Sequence, residues 1–592
     1  MPHRYQGDSP ASTFPLKLAE ALRRSLAAGY TAADLRRDAL AGIVVGIVAL
    51  PLSMALAVAS GVAPQHGLYT AIVAGGLVAL LGGSRVQVSG PTAAFVVILA
   101  PISARFGLGG LAIATLLAGG LLILMGAIRL GSLIQFVPYP VTTGFTAGIA
   151  VVIATLQLKD FLGLSVAKMP ETYAEKVLAL GRALPSWRGP DCAIGLFTLA
   201  VLLLWPRVTG KVPAPLVALT LAASVAALAA HLFPGFRLAT IDSRFQYDAG
   251  AGVLRGGIPR LPPLPGWPWR LPDASGHPLV LSFDLLRELV PPAFAIAMLG
   301  AIESLLSAVV ADGMTGGSHD PDAELVALGI GNVVGPFFGG IPATGAIART
   351  ATNIRSGARS PFAAAFHALF VLAAVLALAP LLGYLPMASL AALLLLVAWN
   401  MSEARHFLHA VKVAPRSDVV VLLVCFGLTV LFDMVIAVAV GIVLAALLFM
   451  RRMAEVSGVK LVEETHPILT AGLPPDVLVY EVAGPLFFGA AQKAMAALKR
   501  GMPGVRVVIL DLSSVPAIDV TGLVSLESAV DHLAARGVYV ILAGVQNQPA
   551  RALARSGLRR QRDRLAICRA LETAAVLARR RSREGGGTAS SP

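Results

Sequence analysis

Long apolar stretches separated by short polar ones run along most of the chain. Runs of about 20 apolar residues predict membrane-spanning helices, whereas the strands of a membrane barrel would alternate residue by residue. Twelve such runs form two groups of six on either side of a polar, proline-rich stretch: 39–58, 67–82, 110–128, 139–157, 191–205 and 214–233, then 287–311, 323–338, 362–382, 386–400, 418–434 and 435–450. The pattern predicts a polytopic α-helical membrane protein.

Two further segments interrupt the apolar pattern at corresponding places. GSRVQVSGPTAAF (83–95) overlaps the LLGG at 80–83, and ATGAIARTATN (343–353) follows the FFGG at 337–340. Paired broken helices are typical of a transporter's substrate site, because a helix N-terminus in mid-membrane presents unpaired N–H groups and a partial positive charge. The two segments therefore predict an anion site and bring the membrane segments to fourteen. A proline kink inside an ordinary helix is the simpler alternative.

From about residue 453 the pattern changes to alternating strand-like and helix-like segments, which predicts a small α/β domain. The strand-like segments are 477–482, 505–512 and 538–544, and the helix-like segments are 490–500 and 522–536. The last residues, rich in Arg, Gly and Ser, predict a disordered tail. The predicted divisions are a cytoplasmic N-terminal segment at 1–38, a membrane domain at 39–452, an α/β domain at 470–580 and the tail at 581–592.

Composition agrees with a membrane protein. The 592 residues are 56% hydrophobic and only 14% charged, whereas soluble domains have about 25% charged residues. The net charge of +14 comes largely from basic residues before the first apolar run, after the last one and in the C-terminal part. The positive-inside rule then predicts that both ends are cytoplasmic, and nucleic-acid binding is not expected because no binding motif accompanies the charge.

The sequence motifs of common enzymes are missing. The three cysteines have no disulfide or metal-binding spacing, and there is no nucleotide-binding loop, zinc-protease motif or serine-hydrolase motif. Neither enzymatic activity nor a cofactor or metal is expected. Secondary transport, a passive channel and a membrane-bound sensor remain as function classes.

Two ionisable residues in apolar surroundings are candidates for transport chemistry. Glu303 lies within LGAIESLLSAVVADG (299–313), and Ser307 follows one turn later on the same helix face. This pair could bind a proton or a small cation such as sodium, or Glu303 could be a structural partner of a neighbouring helix. Arg349 lies inside the second broken segment, where it would add a full charge to the helix dipole. An arginine that reaches to the membrane surface is the alternative.

Several stretches resemble the SulP family of anion permeases, and the likeness covers nearly the whole chain. It is carried by ALPLSMALAVASGVAPQHGLYTA (49–71), GGSRVQVSGPTAAFVVIL (82–99) and FFGGIPATGAIARTATNIRSGA (337–358). Within the family, MLGAIESLLSAVV, LLLVAWNMSEA (394–404), LTVLFDMVIAVAVGIVLA (428–445) and GPLFFGAA (484–491) are similar to the DauA-type C4-dicarboxylic acid transporters. The resemblance implies two inverted seven-helix repeats divided into a core and a gate domain, followed by a STAS domain.

The resemblance also implies where the substrate binds, between the third and tenth helices. The implied positions are Leu52, Ser53 and Leu56 of the first helix, Pro91, Thr92, Ala93 and Ala94 of the third, and Gly345, Ala346, Ile347, Ala348 and Arg349 of the tenth. We expect backbone N–H groups of the third and tenth helices to form most of the site. The small residues there would let an anion approach the backbone closely.

The resemblance also implies functional roles for three further residues. Glu303 stands where sodium-coupled bicarbonate transporters of the family have an aspartate, and Ser307 matches the hydroxyl one turn later. This difference favours proton coupling over sodium coupling. Thr521 matches the phosphorylatable Ser or Thr of anti-sigma-factor antagonists, with a helix-capping threonine that has no regulatory role as the alternative.

The expected function is proton-coupled uptake of C4-dicarboxylates such as succinate, fumarate and aspartate. The expected setting is a homodimer in the bacterial inner membrane, with the N-terminus and the STAS domain cytoplasmic. Transport of sulfate or bicarbonate, an anion sensor that signals through the STAS domain, and a passive channel remain alternatives.

Overall fold

The computed structural model describes most of the chain, and every structural statement below concerns the described residues. These are 18–134, 137–166, 169–170, 172–210, 212–233, 238–248, 254–432, 434–456, 458–461, 472–487, 504–558 and 564–585. The chain divides into two compact units, Met1–Ile442 and Val443–Pro592, and each is described by itself.

The first unit is helical. Before the central loop the helices are α1 (Glu20–Ala27), α2 (Ala32–Ala59), α3 (Pro64–Leu81), α4 (Val96–Ala127), α5 (Gly131–Ile134), α6 (Tyr139–Phe161), α7 (Tyr173–Ala183), α8 (Gly189–Val208) and α9 (Ala214–Leu232). From the loop onward they are α10 (Ile241–Arg244), α11 (Phe283–Thr315), α12 (Pro321–Val334), α13 (Ile347–Arg355), α14 (Phe362–Gly383), α15 (Met387–Ser402), α16 (Ala404–Val413), α17 (Arg416–Leu431) and α18 (Met434–Val456), whose residues after Ile442 are assigned to the second unit.

Ten helical stretches of the described residues are long and apolar enough to cross a membrane. Among these, α4 covers the predicted third and fourth segments, because Gly107 has a φ of 69° and divides it into two helices. The helices α12, α13 and α17, with 14, 9 and 16 residues, are shorter than a full crossing of about 20 residues. They lie where the sequence predicts the ninth, tenth and thirteenth segments, so the helices follow the predicted order.

Local sequence determines where these helices begin. Thr31 accepts a hydrogen bond from the Asp34 N–H (3.2 Å), and the Asp34 side chain accepts one from the Thr31 N–H (3.2 Å), which forms a capping box for α2. The helix therefore starts at Ala32, seven residues before the apolar run at 39. Apolar patterning underestimates helix length here because the cap and first turn lie in polar sequence.

The helices of the first unit form two packed groups. The core helices are α2, α3, α4, α11, α12, α13 and α14, and the gate helices are α6, α8, α9, α15, α17 and α18. Within the core group, α4 packs against α11 and α12, while α14 packs against α2 and α3. Within the gate group, α6 packs against α15 and α17. This arrangement agrees with the predicted division into a core and a gate domain.

The central loop contains a short antiparallel hairpin and packs against the core group. The hairpin consists of β2 (Gln246–Asp248) and β3 (Leu254–Gly256). Farther along, the rings of Trp267 and Trp269 stack at 4.9 Å and contact Phe337 edge-on. The loop thereby covers the end of the segment that follows α12.

The second unit is an α/β domain with its own apolar core on both faces of a five-stranded sheet. The strands, in spatial order, are β5 (Gly458–Leu461), β6 (Val477–Ala483), β7 (Val507–Asp511), β8 (Tyr539–Ala543) and β9 (Leu565–Ile567). The first pair is antiparallel and the others are parallel. The helices are α19 (Val520–Ala535), α20 (Asn547–Ser556) and α21 (Leu571–Gly585).

The predicted strands of this unit overlap β6, β7 and β8, and the predicted helix 522–536 overlaps α19. The predicted helix 490–500 lies outside the described residues. The helix α21 reaches Gly585, so its last five residues extend into the segment predicted as a disordered tail. The remainder of that tail, 586–592, also lies outside the described residues.

Candidate anion site

The two broken segments meet inside the core group at a short antiparallel strand pair. β1 (Ser89–Gly90) pairs with β4 (Thr344–Gly345), with Ser89 opposite Gly345 and Gly90 opposite Thr344. Each strand leads directly towards a helix, β1 towards α4 and β4 towards α13. The N-terminal ends of these two helices therefore lie side by side, as the sequence predicts for an anion site.

Glycine is required where the two strands cross. A Cβ atom on Gly345 would lie 2.3 Å from Gln87 Nε2 and 2.9 Å from the Cα atom of Ser304. A Cβ atom on Gly90, which has a φ of 156°, would lie 2.8 Å from Arg349 Nη1. Any larger residue would push the segments apart or displace the arginine.

Arg349 links the two segments from within the protein. Its side chain extends from the first turn of α13, is 2% exposed, and donates from Nη2 to the Pro91 carbonyl before α4. Its Nε and Nη1 groups have no hydrogen-bond partner among the described residues. Buried donors without partners are costly, and guanidinium groups bind carboxylate and sulfate-like oxyanions well. The side chain therefore fits an anion ligand.

Glu303 lies at the same helix end. Its Oε2 atom accepts a hydrogen bond from the Thr92 hydroxyl at 2.9 Å, and its carboxylate lies close enough to Arg349 for the two charges to interact. Glu303 is half-buried on α11. The structure thus brings a carboxylate and an arginine to the start of α4, which lies more than 200 residues before either of them in the sequence.

Ser307, one turn after Glu303, contacts the other broken segment. Its hydroxyl donates to Thr350 Oγ1 at 3.2 Å, and the same oxygen accepts the Val88 N–H at 3.0 Å. The two residues predicted to share a coupling ion therefore have different hydrogen-bond partners, Glu303 near α4 and Ser307 on α13. Among the described residues there is also no group of three or more His, Cys, Asp and Glu side chains suited to a metal ion.

The predicted first-helix residues lie on α2, which packs against α13. Ser53 is fully buried, and its hydroxyl has no hydrogen-bond partner among the described residues. Leu56 is also buried, whereas Leu52 is half-buried. Pro51 lies inside the helix at this level, where it removes one backbone N–H from the ladder.

The predicted backbone donors are only partly available. The Ala346 N–H donates to the Val88 carbonyl at 2.9 Å, because the extended chain before α13 forms a strand-like hydrogen bond. The N–H groups of 347–349 are in the first helical turn and have no intrahelical acceptor. Ile347 is 39% exposed and Ala348 is also exposed, whereas Ala93 and Ala94 are buried.

A buried carboxylate that sequence reasoning missed fixes the first broken segment. Glu324 of α12, only 1% exposed, accepts hydrogen bonds from the N–H groups of Gly83 (3.0 Å) and Ser84 (3.1 Å) and from Gln87 Nε2 (2.8 Å). Gln87 also donates to the Ser304 hydroxyl at 2.7 Å. The available signal is Gln87 itself, an amide side chain between two valines in the first broken segment.

A second residue of α12 fixes the other broken segment. Asn332 donates from Nδ2 to the Ala343 carbonyl at 2.9 Å, and its Oδ1 accepts the Ala343 N–H at 2.8 Å. One helix therefore holds both segments, Glu324 the first and Asn332 the second.

Thr521 lies in the first turn of α19 and is half-buried. The helix cap is Asp519, whose Oδ1 atom accepts the Gly522 N–H at 2.6 Å. The alternative in which Thr521 itself caps the helix is therefore wrong, because a carboxylate two residues earlier makes that hydrogen bond.

The fold and the paired helix ends define a helical membrane transporter, and comparison with known proteins gives its family. The profile described as Sulfate permease family matches residues 35–425, and the profile of the STAS domain matches residues 470–574. The chain therefore belongs to the sulfate permease family and is an anion transporter of that family with a C-terminal STAS domain.

Two relatives match over most of their length. The chain is 40% identical over 531 residues to the Putative sulfate transporter YvdB of Bacillus subtilis, which covers 90% of this chain and 95% of the relative. It is 30% identical over 542 residues to the Bicarbonate transporter BicA of Picosynechococcus sp., which covers 88% of this chain and 90% of the relative. Both names describe transporters of inorganic anions, and neither name contains a dicarboxylate.

Solved structures confirm the predicted fold class. The overall structure of SLC26A9 superposes with a TM-score of 0.81 at 17% identity, covering 100% of this chain and 99% of that one. The transmembrane domain of the cyanobacterial BicA has a TM-score of 0.58 at 27% identity, covering 70% of this chain and 98% of that one. The protein is therefore a multi-pass membrane protein with this family's fold.

Proposed function

We propose that the chain is a secondary active transporter that takes up a small oxyanion together with a proton. The observation that supports this most strongly is Arg349, buried between the two broken segments with donors that have no partner among the described residues. Glu303 stands beside it, bonded through Thr92 to the helix end that would receive the anion. An anion site next to a protonatable carboxylate is what coupled uptake requires.

The coupling follows from charge balance within the site. Without substrate, the Glu303 carboxylate offsets the charge of Arg349. When an anion binds the guanidinium, the two negative charges repel, and a proton on Glu303 relieves that repulsion. Each ligand then favours binding of the other, which is the thermodynamic linkage of symport. Moving the site across the membrane with Glu303 neutral is also less costly than moving it with a carboxylate.

The first substrates to test are C4-dicarboxylates, namely succinate, fumarate and aspartate. Two helix ends supply about one elementary charge between them, which only partly offsets a dianion. Arg349 adds a full charge and can bind one carboxylate through two N–H groups. The sequence likeness to dicarboxylate transporters supports the same choice.

Sulfate and bicarbonate are the second candidates, because the relatives carry those names. Sulfate is a dianion like succinate, so the same charge argument applies to it. An oxyanion bound by Arg349 and helix N–H groups is common to all three candidates.

The test is uptake of labelled succinate into proteoliposomes that contain the full chain, with an acidic outside medium as the driving force. Fumarate, aspartate, sulfate and bicarbonate serve as competitors, and Arg349→Gln serves as the control variant. We expect accumulation of succinate, with competition by fumarate and aspartate. If sulfate competes and the dicarboxylates do not, the transported substrate is sulfate and not a dicarboxylate. Anion binding without flux would indicate a sensor, and single-channel currents without accumulation would indicate a channel.

We further propose a homodimer in the bacterial inner membrane, with the N-terminus and the STAS domain in the cytoplasm. Basic residues at both ends of the membrane region support this orientation. This orientation is tested by introducing cysteines near either end of the chain and treating intact cells with a thiol reagent that does not cross the membrane. Labelling of these cysteines would contradict the proposed orientation.

A regulatory role of Thr521 is tested by phosphopeptide mapping. The Asp519 carboxylate beside Thr521 disfavours a phosphate there.

A further inference from the structure

A cavity of about 330 Å³ lies within the core group, around the end of α11. Its walls come from three places that are far apart in the sequence: residues 84–86 after α3, residues between 312 and 318 around the end of α11, and residues 358–359 before α14. Because α2 and α3 cross the membrane in opposite directions, residues 84–86 lie on the same side as the N-terminus. In the orientation proposed above, this is the cytoplasmic side.

Buried hydrogen bonds hold two of these walls in place. Ser84 donates its N–H to the Glu324 carboxylate at 3.1 Å, and Arg359 donates its backbone N–H to the Asp38 carboxylate at 2.6 Å. Both carboxylates are buried in the helices of the core group. The backbone around the cavity is therefore fixed before a ligand arrives, which lowers the entropic cost of binding.

The cavity has charged groups of both signs. Among the described residues that line it, Arg85 and Arg359 are the only cationic ones and Asp312 is the only acidic one. Both arginines are exposed, and neither forms an ion pair within the described part of the chain, although Asp34 at the start of α2 interacts with Arg359 at longer range. The lining therefore has a net positive charge, which favours an anionic ligand.

The Asp312 carboxylate has one oxygen available to a ligand. Its Oδ2 atom accepts the His319 N–H at 3.0 Å and lies 2.6 Å from the Nδ1 atom of the same residue. Its Oδ1 atom accepts no hydrogen bond from the described residues, and it lies 3.9 Å from the position that a Cβ atom would take on Gly317, which also lines the cavity. This part of the wall suits a ligand with a hydrogen-bond donor, above all an ammonium group.

Size and charge together define a class of ligand. A cavity of about 330 Å³ is in the range of small-molecule sites. An acidic amino acid has two carboxylates and one ammonium group, which match two arginines and one carboxylate in number and sign. Arginine can bind a carboxylate through two N–H groups. A dicarboxylate without the amino group would be repelled by Asp312 and would leave it without a partner.

We propose that this cavity is a second binding site, selective for acidic amino acids such as aspartate and glutamate. Arg85 and Arg359 bind the two carboxylates, and Asp312 binds the ammonium group. The site has no residue in common with the proposed transport site at Arg349 and Glu303. Binding at the cavity therefore does not depend on the proposed transport function and can be measured without flux.

The first test is calorimetric titration of the full chain, purified in detergent, with L-aspartate and L-glutamate. All measurements use the Arg349→Gln background, so that the transport site contributes little binding. We expect Arg85→Gln and Arg359→Gln each to weaken amino-acid affinity about tenfold, because each removes a charge-assisted pair. Arg355→Gln, an exposed arginine at the end of α13 that does not line the cavity, is the matched control and should leave the affinity unchanged.

The second test is selectivity, which a basic surface without a defined ligand would not show. We expect succinate, sulfate and inorganic phosphate to bind at least about tenfold more weakly than aspartate, because they carry no ammonium group for Asp312. In Asp312→Asn, the repulsion of succinate and the charge partner of the ammonium group are both removed. The preference for aspartate over succinate should then fall to about threefold or less. The unfolding temperature of each variant shows whether it has folded.

The outcomes separate this site from the proposed function. Equal affinities for aspartate and succinate, or affinities that do not respond to Arg85→Gln and Arg359→Gln, overturn the amino-acid site even when anion uptake is normal. Absence of amino-acid binding, or tighter binding of phosphate or sulfate, overturns it as well. If aspartate and glutamate bind as expected while no anion is taken up, the proposed transport function fails and the amino-acid site is retained.

Discussion

Two side chains of opposite charge are tied to the same helix end. Arg349 donates to the carbonyl of Pro91, and Glu303 accepts from the hydroxyl of Thr92, the next residue along the chain. A change in the charge of either group therefore changes the electrostatic potential at the start of α4. This proximity makes binding of an anion and of a proton interdependent, and it can be tested one residue at a time.

The first prediction concerns the shape of the cation at position 349. Arg349→Lys keeps the charge but loses the planar fork, so we expect anion affinity to fall about three- to tenfold. Arg349→Gln removes the charge and should cost about 100-fold in affinity, since charge-assisted hydrogen bonds in buried sites are strong. Calorimetric titration of the purified variants measures both. Equal affinities in the two variants and the unmodified protein would exclude Arg349 from the site.

The second prediction separates coupling from transport. Glu303→Gln resembles the protonated carboxylate, so we expect exchange of internal for external substrate to continue. Accumulation driven by an imposed proton gradient should be lost, because the variant has no proton to carry at this position. Both are measured as labelled-substrate flux in proteoliposomes. If the variant still concentrates substrate in response to acid outside, Glu303 is structural and another group carries the proton.

At the scale of elements, the site depends on how α12 holds the two broken segments. Each segment is extended and leaves backbone groups that no helix pairs, and α12 supplies partners through Glu324 and Asn332. The strand pair of β1 and β4 then fixes the two helix ends relative to each other. The helix α12 is therefore a scaffold for the anion site without touching it.

The third prediction tests this scaffold. Glu324→Gln preserves volume, but its single amide oxygen can accept either from the Gly83 and Ser84 N–H groups or from Gln87 Nε2, so we expect about 2 kcal/mol of lost stability from the donor left without an acceptor. Thermal unfolding of the detergent-solubilised protein should shift to lower temperature, with weaker anion binding. Asp284→Asn, an exposed carboxylate at the start of α11, is the matched control. Equal unfolding temperatures for Glu324→Gln and the unmodified protein would show that these hydrogen bonds do not stabilise the segment.

Local sequence features predict the helices and strands better than they predict the contacts between these elements. Double glycines and small residues identified both broken segments because these properties belong to a short stretch of chain. The acceptors of the Ala346 N–H and of Gln87 could not be predicted, since Val88 and Glu324 lie more than 200 residues from them. The sequence motif around residue 521 likewise points to Thr521, whereas Asp519 caps α19.

At the scale of the whole molecule, the chain consists of two units with separate cores. The membrane unit contains all the residues proposed for anion binding and coupling, from Leu52 to Arg349. The STAS unit has apolar clusters on both faces of its sheet, with Leu526 on one side and Ala574 on the other. Because each unit has its own apolar core, we expect the membrane unit and the STAS unit to fold independently.

The fourth prediction concerns the membrane unit without the STAS unit. A chain that ends after Val456 keeps both broken segments, Arg349, Glu303 and the scaffold helix α12. We therefore expect its anion affinity to stay within about twofold of that of the full chain, because every direct contact is retained. Its rate of uptake can still change, because a rate depends on more than the contacts to the anion. Titration calorimetry gives the affinity, and the unfolding temperature of the shortened protein shows whether it has folded. A folded, shortened chain that no longer binds the anion would mean that the STAS unit contributes to the site itself.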